Sequence, residues 1–373
     1  MNTALALEVP FLDLKAQYRA LAPEINRAVA DVLESAQFVG GPFVENFEQD
    51  FASYIGARYA VGVSSGTSAL ELALRVSDIG PGDEVLVPAN TFFATAEAVS
   101  NVGAKPVFTD VDPATFHLEV KSAERMITAR TRAIIPVHLY GRAMDLEQVA
   151  ELAAAYRLRI IEDAAQAHGS AYNGAKIGAS GRLTCFSFYP GKNLGAYGDA
   201  GAVTTNDYEE ASKLRLLRDH GSPAKYQHSV IGTNARLDSI QAAILSIKLC
   251  QLDQWNQLRR KHAALMASAL ADSPVMPPEV PAGGEHVFHL FVVRTARRNA
   301  LRNYLRANGI GTGIHYPVPL HLTEAYQQLG YPGKGSVPAA EQLAGEILSL
   351  PMYAELTDEQ IEHTIDAILN FAG

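Results

Sequence analysis

Three short stretches combine residue types that chemistry can use. A strand-like YAVGV (59–63) runs straight into Ser64-Ser65-Gly66-Thr67-Ser68 and then into a helical pattern. Such a turn offers free backbone N–H groups and the positive end of a helix dipole, which suits a phosphate; Ser65 or Thr67 acting only as a helix cap explains the same residues. No lysine follows the glycine and no GxGxxG follows any strand, so nucleoside-triphosphate and dinucleotide readings weaken. In RIIEDAAQAHG, Asp163 stands just past a buried strand, with Gln166 three residues on and on the same side if the chain turns helically. A buried carboxylate there needs a metal, a ribose hydroxyl or a protonated heterocycle nitrogen, or else caps the following turn. CFSFYPGKNLGAYGDAG carries Ser187, Tyr189 and Lys192 into a glycine-rich loop, where a lysine taken alone is usually a solvated charge. Together the three stretches hold the parts that pyridoxal phosphate requires: an anion turn, a carboxylate for the ring nitrogen and a lysine for the aldehyde. Phe92 in ANTFFAT could then lie flat on the ring, or be an ordinary core aromatic.

The elements that must position these residues are readable between 59 and 206. YAVGV, DEVLV (83–87), KPVFTDV (105–111), RAIIPVH (132–138), RLRIIE (157–162), TCFSFY (184–189) and GAVTTN (201–206) read as strands. SALELALRV (68–76), ATAEAVSNV (94–102) and DLEQVAELAAAY (145–156) have helical spacing between them. Strand then helix, repeated, predicts an α/β fold with a mainly parallel seven-stranded sheet covered by helices on both faces. A helical lead-in is expected over 15–35 and 42–55, with Pro42 in the first turn of the second helix, and more helix over 236–271. The Pro- and Gly-rich segment 273–284 is the expected domain boundary, dividing a large domain (1–272) from a small α+β C-terminal domain (273–373). Within the latter, HVFHLFVVRT (286–295) reads as a strand, RNALRNYLRANG as a helix ended by Gly309, and the final helix opens on a Thr357/Gln360 capping box.

Composition narrows the function class. The 373 residues carry 31 basic and 40 acidic side chains, a formal charge of −9, with no basic block that would neutralise nucleic-acid phosphates or hold an anionic membrane. Cys185 and Cys250 form no CxxC pattern, which fits a reducing compartment. No apolar run approaches the ~18 residues of a spanning helix, and the first residues lack the positive region of a signal peptide. A cytoplasmic protein is expected, acting on neither nucleic acid nor membrane.

The motifs also resemble a known family, the DegT/DnrJ/StrS sugar aminotransferases of the fold-type-I pyridoxal-phosphate enzymes. The resemblance rests on PFLDLKAQY (10–18), SSGTSAL (64–70), GPGDEVLVPANTFFAT (80–95), IIEDAAQAHG (160–169), SFYPGKNLGAYGDAGAV (187–203), RLDSIQAAIL (236–245) and GIHYPVPLHL (313–322). It implies an aspartate-aminotransferase-like fold in which Lys192 carries the cofactor, Asp163 pairs with its ring nitrogen and Gln166 approaches its ring hydroxyl. By the same resemblance Gly66, Thr67 and Ser187 hold its phosphate and Phe92 stacks on its ring. A homodimer with shared active sites is implied too, with Asn234 reaching the neighbour's phosphate, although Thr233 stands where the family commonly has tyrosine. Some relatives carry histidine in place of the lysine and are dehydratases; Lys192 favours transamination.

His315, Tyr316 and His321, polar tips among prolines, are expected to line a polar pocket, against a surface turn with an aromatic lid. Tyr189 is a candidate for the same pocket. His220 matches a family position near the sugar nucleotide or is a solvated loop residue, and His138 reads as a hydrogen-bonded structural histidine. The expected activity moves an amino group, from L-glutamate as in the family, to a nucleotide-linked keto-hexose, with the GIHYPVPLHL stretch pointing to a 3-keto sugar on dTDP or UDP. The alternatives are a 4-keto sugar acceptor and a regulator that binds without turnover.

Overall fold

The computed structural model describes residues 7–279 and 284–371, so residues 1–6 and part of the expected boundary segment lie outside the described residues. Two helices lead in: α1 (Leu14–Ser35), capped by the Asp13 carboxylate, and α2 (Pro42–Ile55), opened by Pro42. Strands β1 (Tyr59–Val63), β2 (Glu84–Pro88), β3 (Lys105–Thr109), β4 (Thr131–Ile134) and β5 (Arg159–Asp163) are joined in turn by α3 (Gly66–Val76), α4 (Phe93–Asn101), α5 (Val120–Arg125) and α6 (Glu147–Tyr156). A short ribbon, β6 (Ala171–Tyr172) and β7 (Ala175–Lys176), precedes β8 (Leu183–Ser187) and β9 (Gly201–Thr205).

The seven longer of these strands form one sheet in the order β1-β9-β8-β5-β4-β2-β3. It is parallel except for β9, which runs against both β1 and β8. Alternate residues along each strand feed opposite faces. Val61, Val85 and Ile161 pack with Leu70 and Leu74 of α3, Val99 of α4 and Leu214 of α7 (Tyr208–Arg218). On the other face Ala60, Phe186 and Ala202 meet Phe47 and Phe51 of α2 and Leu245 of α8 (Ser239–Leu249), and Leu86 and Ile134 meet Val149 and Leu152 of α6. Burial on both sides explains why the strands are apolar almost throughout.

After α9 (Leu252–Ala269), β10 (Gly284–Glu285) returns to pair with β6. A second core then gathers around the antiparallel pair β11 (Phe291–Arg294) and β12 (Ile347–Leu350). It takes in Leu301 and Leu305 of α10 (Arg298–Ala307) and Ile361 and Ile368 of α13 (Asp358–Leu369); α11 (Glu324–Gln327) and α12 (Pro338–Glu346) lie between. Thr357 and Gln360 form the expected capping box, and Gly309 ends α10 with φ +75°. The run 286–295 is strand only in its second half. Val287 and Leu290 donate their N–H groups to the Gly141 and Tyr140 carbonyls, which ties this part of the chain to the 138–142 turn instead of to a ladder. Among the described residues no helix is long and apolar enough to cross a membrane.

The reversed strand decides where the glycine-rich loop lies. An antiparallel neighbour can be reached by a hairpin, whereas a parallel one needs a crossover to the opposite edge. The 188–200 connection therefore stays at the carboxyl ends of β1, β5 and β8. Gly201, opposite both Val63 and Ser187, starts the return. A Cβ on Gly201 would lie 2.4 Å from the Ser65 carbonyl oxygen and 2.8 Å from that of Phe186, both backbone atoms. We expect Gly201→Ala to cost about 1–3 kcal/mol, as overpacking does, and to disturb the start of α3. Denaturant unfolding checks this; a midpoint unchanged from wild type would contradict the close packing.

Candidate active site

A cavity of about 600 Å³ opens at those strand ends. One wall is the start of α3, where the Ser65 side chain accepts from the Ser68 N–H (3.0 Å), fixing the helix entry and leaving the first turn, Gly66 and Thr67, on the cavity. Ser187 lies against Gly66 so closely that a Cβ there would sit 2.6 Å from the Ser187 Cβ. Backbone N–H groups and hydroxyls thus line one end, the chemistry that receives an anion.

Asp163 lies opposite and is only 5% exposed. Its backbone is clamped by the strand next to it: its N–H donates to the Pro136 carbonyl (2.9 Å) and its carbonyl accepts from the His138 N–H (3.0 Å). Pro136 has no N–H, so the regular ladder of β4 stops at Ile134, short of the expected 138. One carboxylate oxygen accepts from the Ala165 N–H (3.1 Å) and the other from the Thr95 hydroxyl (2.8 Å), itself 3.0 Å from the Thr91 hydroxyl. Burial pushes the Asp163 carboxyl above its ordinary value; the Ala165 and Thr95 hydrogen bonds and the charges of Lys192 and His138 oppose that shift without cancelling it. Asp163 caps the turn after β5, as one of the two sequence expectations has it, and also faces the cavity.

Lys192 is set by the 188–200 loop, where its N–H donates to the Tyr189 carbonyl (2.8 Å). Burial lowers its amine to about 8, with the Asp163 charge pulling the other way. Asn193 anchors the loop beside it. Its amide nitrogen donates to Asn256 Oδ1 (2.9 Å) and the Val287 carbonyl (3.0 Å), and Asn256 in turn donates to the His168 carbonyl (2.9 Å).

The remaining wall belongs to the C-terminal half. Gln166 accepts from the Tyr140 N–H (2.6 Å) and donates to the Tyr316 hydroxyl (3.1 Å). His315 shares a hydrogen bond with Ser349 (Nδ1 to Oγ, 2.8 Å) and stacks on Phe11 at 5.7 Å; burial, then the Lys192 charge, lowers it to about 4, so it is neutral near pH 7. Phe92, 54% exposed at the N-cap of α4, leans toward Tyr316 at 5.6 Å, and Tyr189 stands at the cavity rim, 60% exposed.

The structure thus brings together Gly66, Thr67, Phe92, Asp163, Gln166, Ser187, Tyr189, Lys192, His315 and Tyr316. Three expected residues lie elsewhere. His321 sits on a 3-10 turn (Leu320–Leu322) that points it away from the cavity, 1% exposed, with Nε2 3.1 Å from Glu341; the direction of that turn corrects its expected place in the pocket. His220 is exposed in the left-handed region (φ 57°), and its carbonyl accepts from the His228 ring. Asn234 is exposed, bridged to Asp219, and outside this chain's own cavity. His138 is fully buried between Glu162 and the Met144 N–H, a structural histidine as expected. Phe11, Thr91, Thr95 and His289 escaped sequence reasoning. For the threonines the available signal was their i, i+4 spacing in NTFFAT, directly after a strand end.

Comparison with known proteins adds an independent line. Residues 19–369 match the DegT/DnrJ/EryC1/StrS aminotransferase family. The dTDP-3-amino-3,4,6-trideoxy-alpha-D-glucose transaminase of Streptomyces venezuelae is 50% identical over 98% of this chain and 96% of that protein. A protein of Geobacillus stearothermophilus named pleiotropic regulatory protein is 47% identical over 98% and 99% of the two chains. The UDP-N-acetyl-3-dehydro-alpha-D-glucosamine 3-aminotransferase of Acidithiobacillus ferrooxidans is 46% identical over 96% of each. The crystal structure of S. venezuelae DesV in complex with a ketimine intermediate superposes with a TM-score of 0.95 at 50% identity, covering 97% of both chains. With a match of that extent over the same α/β architecture, the chain belongs to the DegT/DnrJ/EryC1/StrS aminotransferase family.

Proposed function

We propose that this chain is a pyridoxal-phosphate-dependent aminotransferase that takes the amino group of L-glutamate and gives it to the 3-keto group of a hexose carried on dTDP or UDP. The observation that carries the reading is one cavity holding an anion-receiving helix start, a buried carboxylate and a lysine whose amine is lowered to about 8. Pyridoxal phosphate fits that donor set. Gly66, Thr67 and Ser187 would hold its phosphate, Asp163 its protonated ring nitrogen, Gln166 its ring hydroxyl, Lys192 its aldehyde carbon and Phe92 one face of its ring. When bound, the cofactor supplies the electron sink that lets an amino acid release its α-proton.

The chain's residues do the rest. Lys192 Nζ, lowered to about 8, suits a group that takes the proton from the donor carbon and returns it in the second half-reaction. Asp163, held by Thr95 and Ala165, would stabilise positive charge on the cofactor's ring nitrogen. The named transaminases among the relatives favour turnover over a regulator that only binds the same ligands. The named transaminase relatives support a 3-amino product, and neutral His315 with Tyr316 suits the fixing of sugar hydroxyls. A two-fold partner that completes the site is supported by the position of Asn234 and by exposed apolar side chains at Phe38, Val39, Tyr226 and Ile231.

Incubating the protein with pyridoxal phosphate, glutamate and 3-keto or 4-keto sugar nucleotides tests the reading. We expect amination of a 3-keto compound and far less of its 4-keto isomer; use of the 4-keto isomer alone, or of neither, would overturn it. Borohydride reduction should fix the cofactor to the peptide bearing Lys192, and Lys192→Ala should lower turnover by about two to four orders of magnitude.

Asp163 yields a prediction of opposite sign for stability. Its carboxyl is raised in the folded protein, so the folded state holds a proton that the unfolded chain has already lost. Stability therefore falls as pH rises from the unfolded value of about 3.9 through the folded one, and above that window the deficit is constant. Without cofactor, Asp163→Asn should melt above wild type near neutral pH and lose that advantage below about pH 4, while the loaded enzyme loses roughly two or more orders of magnitude in turnover. An apo variant that melts below wild type at neutral pH would contradict the cost assigned to this buried charge.

A further inference from the structure

His289 lines the cavity from the C-terminal half, and its tautomer can be worked out from its neighbours. Its Nδ1 lies 3.2 Å from Asn193 Oδ1. The Asn193 amide can be oriented in only one way, because its other end faces two acceptors, Asn256 Oδ1 and the Val287 carbonyl. Asn256 is oriented by the same logic, since its nitrogen faces the His168 carbonyl. Asn193 and Asn256 are 2% and 1% exposed, so water does not compete for these bonds. An amide oxygen only accepts, and His289 must therefore carry its proton on Nδ1. Burial, followed by the charges of Lys192 and Arg259, keeps the ring neutral and its pKa well below the ordinary histidine value. Nε2 is left with a lone pair, and no described residue pairs with it; the half-buried ring opens onto the cavity.

A fixed lone pair selects its partner. It repels a carboxylate, a phosphate oxygen or a ketone oxygen, and the positive charge of Lys192 and Arg259 close by disfavours a second cation. A neutral O–H or N–H donor remains, and on a hexose ring the donors in greatest number are hydroxyls. We propose that His289 Nε2 accepts a hydrogen bond from a ring hydroxyl of the sugar acceptor, which makes His289 a specificity-determining residue of the acceptor half-reaction. This rests on the reading of the chain as a sugar-nucleotide aminotransferase.

The test compares wild type, His289→Leu and His289→Gln, the last of which keeps an acceptor oxygen near the Nε2 position. For the leucine variant we expect acceptor kcat/KM to fall about 10- to 100-fold, the size of one lost hydroxyl contact, with most of the loss recovered in the glutamine variant. The single-turnover rate with glutamate alone should stay within about two-fold. With deoxy analogues each lacking one ring hydroxyl, one analogue should erase the difference between wild type and the leucine variant. Equal slowing of both half-reactions, or a difference that persists with every analogue, would overturn the proposal. If wild type aminates no keto-sugar nucleotide, the underlying reading fails and the proposal with it. A further readout needs no turnover: in apo protein labelled with ¹⁵N-histidine, His289 should show a protonated Nδ1 and a bare Nε2, and the reverse pattern would refute the tautomer argument.

Discussion

A carboxylate held almost out of water organises the cavity. Ionised Asp163 is costly where it stands, and burial raises its pKa despite two hydrogen bonds. What makes the charge tolerable is a surrounding that cannot relax. The strand beside it clamps its backbone at Pro136 and His138, Ala165 donates from the next turn, and Thr95 donates from the helix after β2. Each donor comes from a different part of the sheet, so the charge is held only when the strands are in register. The ring nitrogen of the proposed cofactor would then meet a carboxylate whose cost of orientation the protein has already met.

That constraint makes the reversal of β9 matter. Lys192 has to face Asp163 from a different strand end, and a loop returning antiparallel keeps both at one edge of the sheet. Gly201 permits the return because any side chain would strike the backbone at Ser65 and Phe186. The start of α3, Ser187 and the lysine loop are therefore packed as one unit, and the Asn193–Asn256 pair carries that unit across to the wall that bears His289.

Much of this was legible from local sequence. The strands declare themselves by apolar continuity, since both faces are covered, and Ser65-Gly66-Thr67, Asp163 and Lys192 each follow a strand at once, so strand and helix order alone brings them to one edge. The direction of β9 was not legible, because residue alternation is the same for a strand run either way. His321 shows another limit. In a proline-rich stretch the backbone direction is readable, but where a side chain points depends on a distant residue, here Glu341. Thr95 was hidden for a different reason: in a helix a threonine is unremarkable until the carboxylate it serves, 68 residues away, is in place.

His289 belongs with these hidden residues and suggests why they matter. In HVFHLFVV it is indistinguishable from an inward strand residue, and the chain departs from the ladder there only because Val287 and Leu290 bond to the 138–142 turn. Its tautomer is then set by amides. Each asparagine in the relay has one orientation that satisfies its neighbours, so the chain from the His168 carbonyl to the imidazole has a single consistent proton arrangement. A group of fixed polarity discriminates more sharply than one free to invert, because a mismatched ligand leaves a buried atom unpaired instead of finding an alternative bond. The buried asparagines therefore do two things with the same hydrogen bonds: they hold the lysine loop in place and they set the polarity of one wall of the cavity.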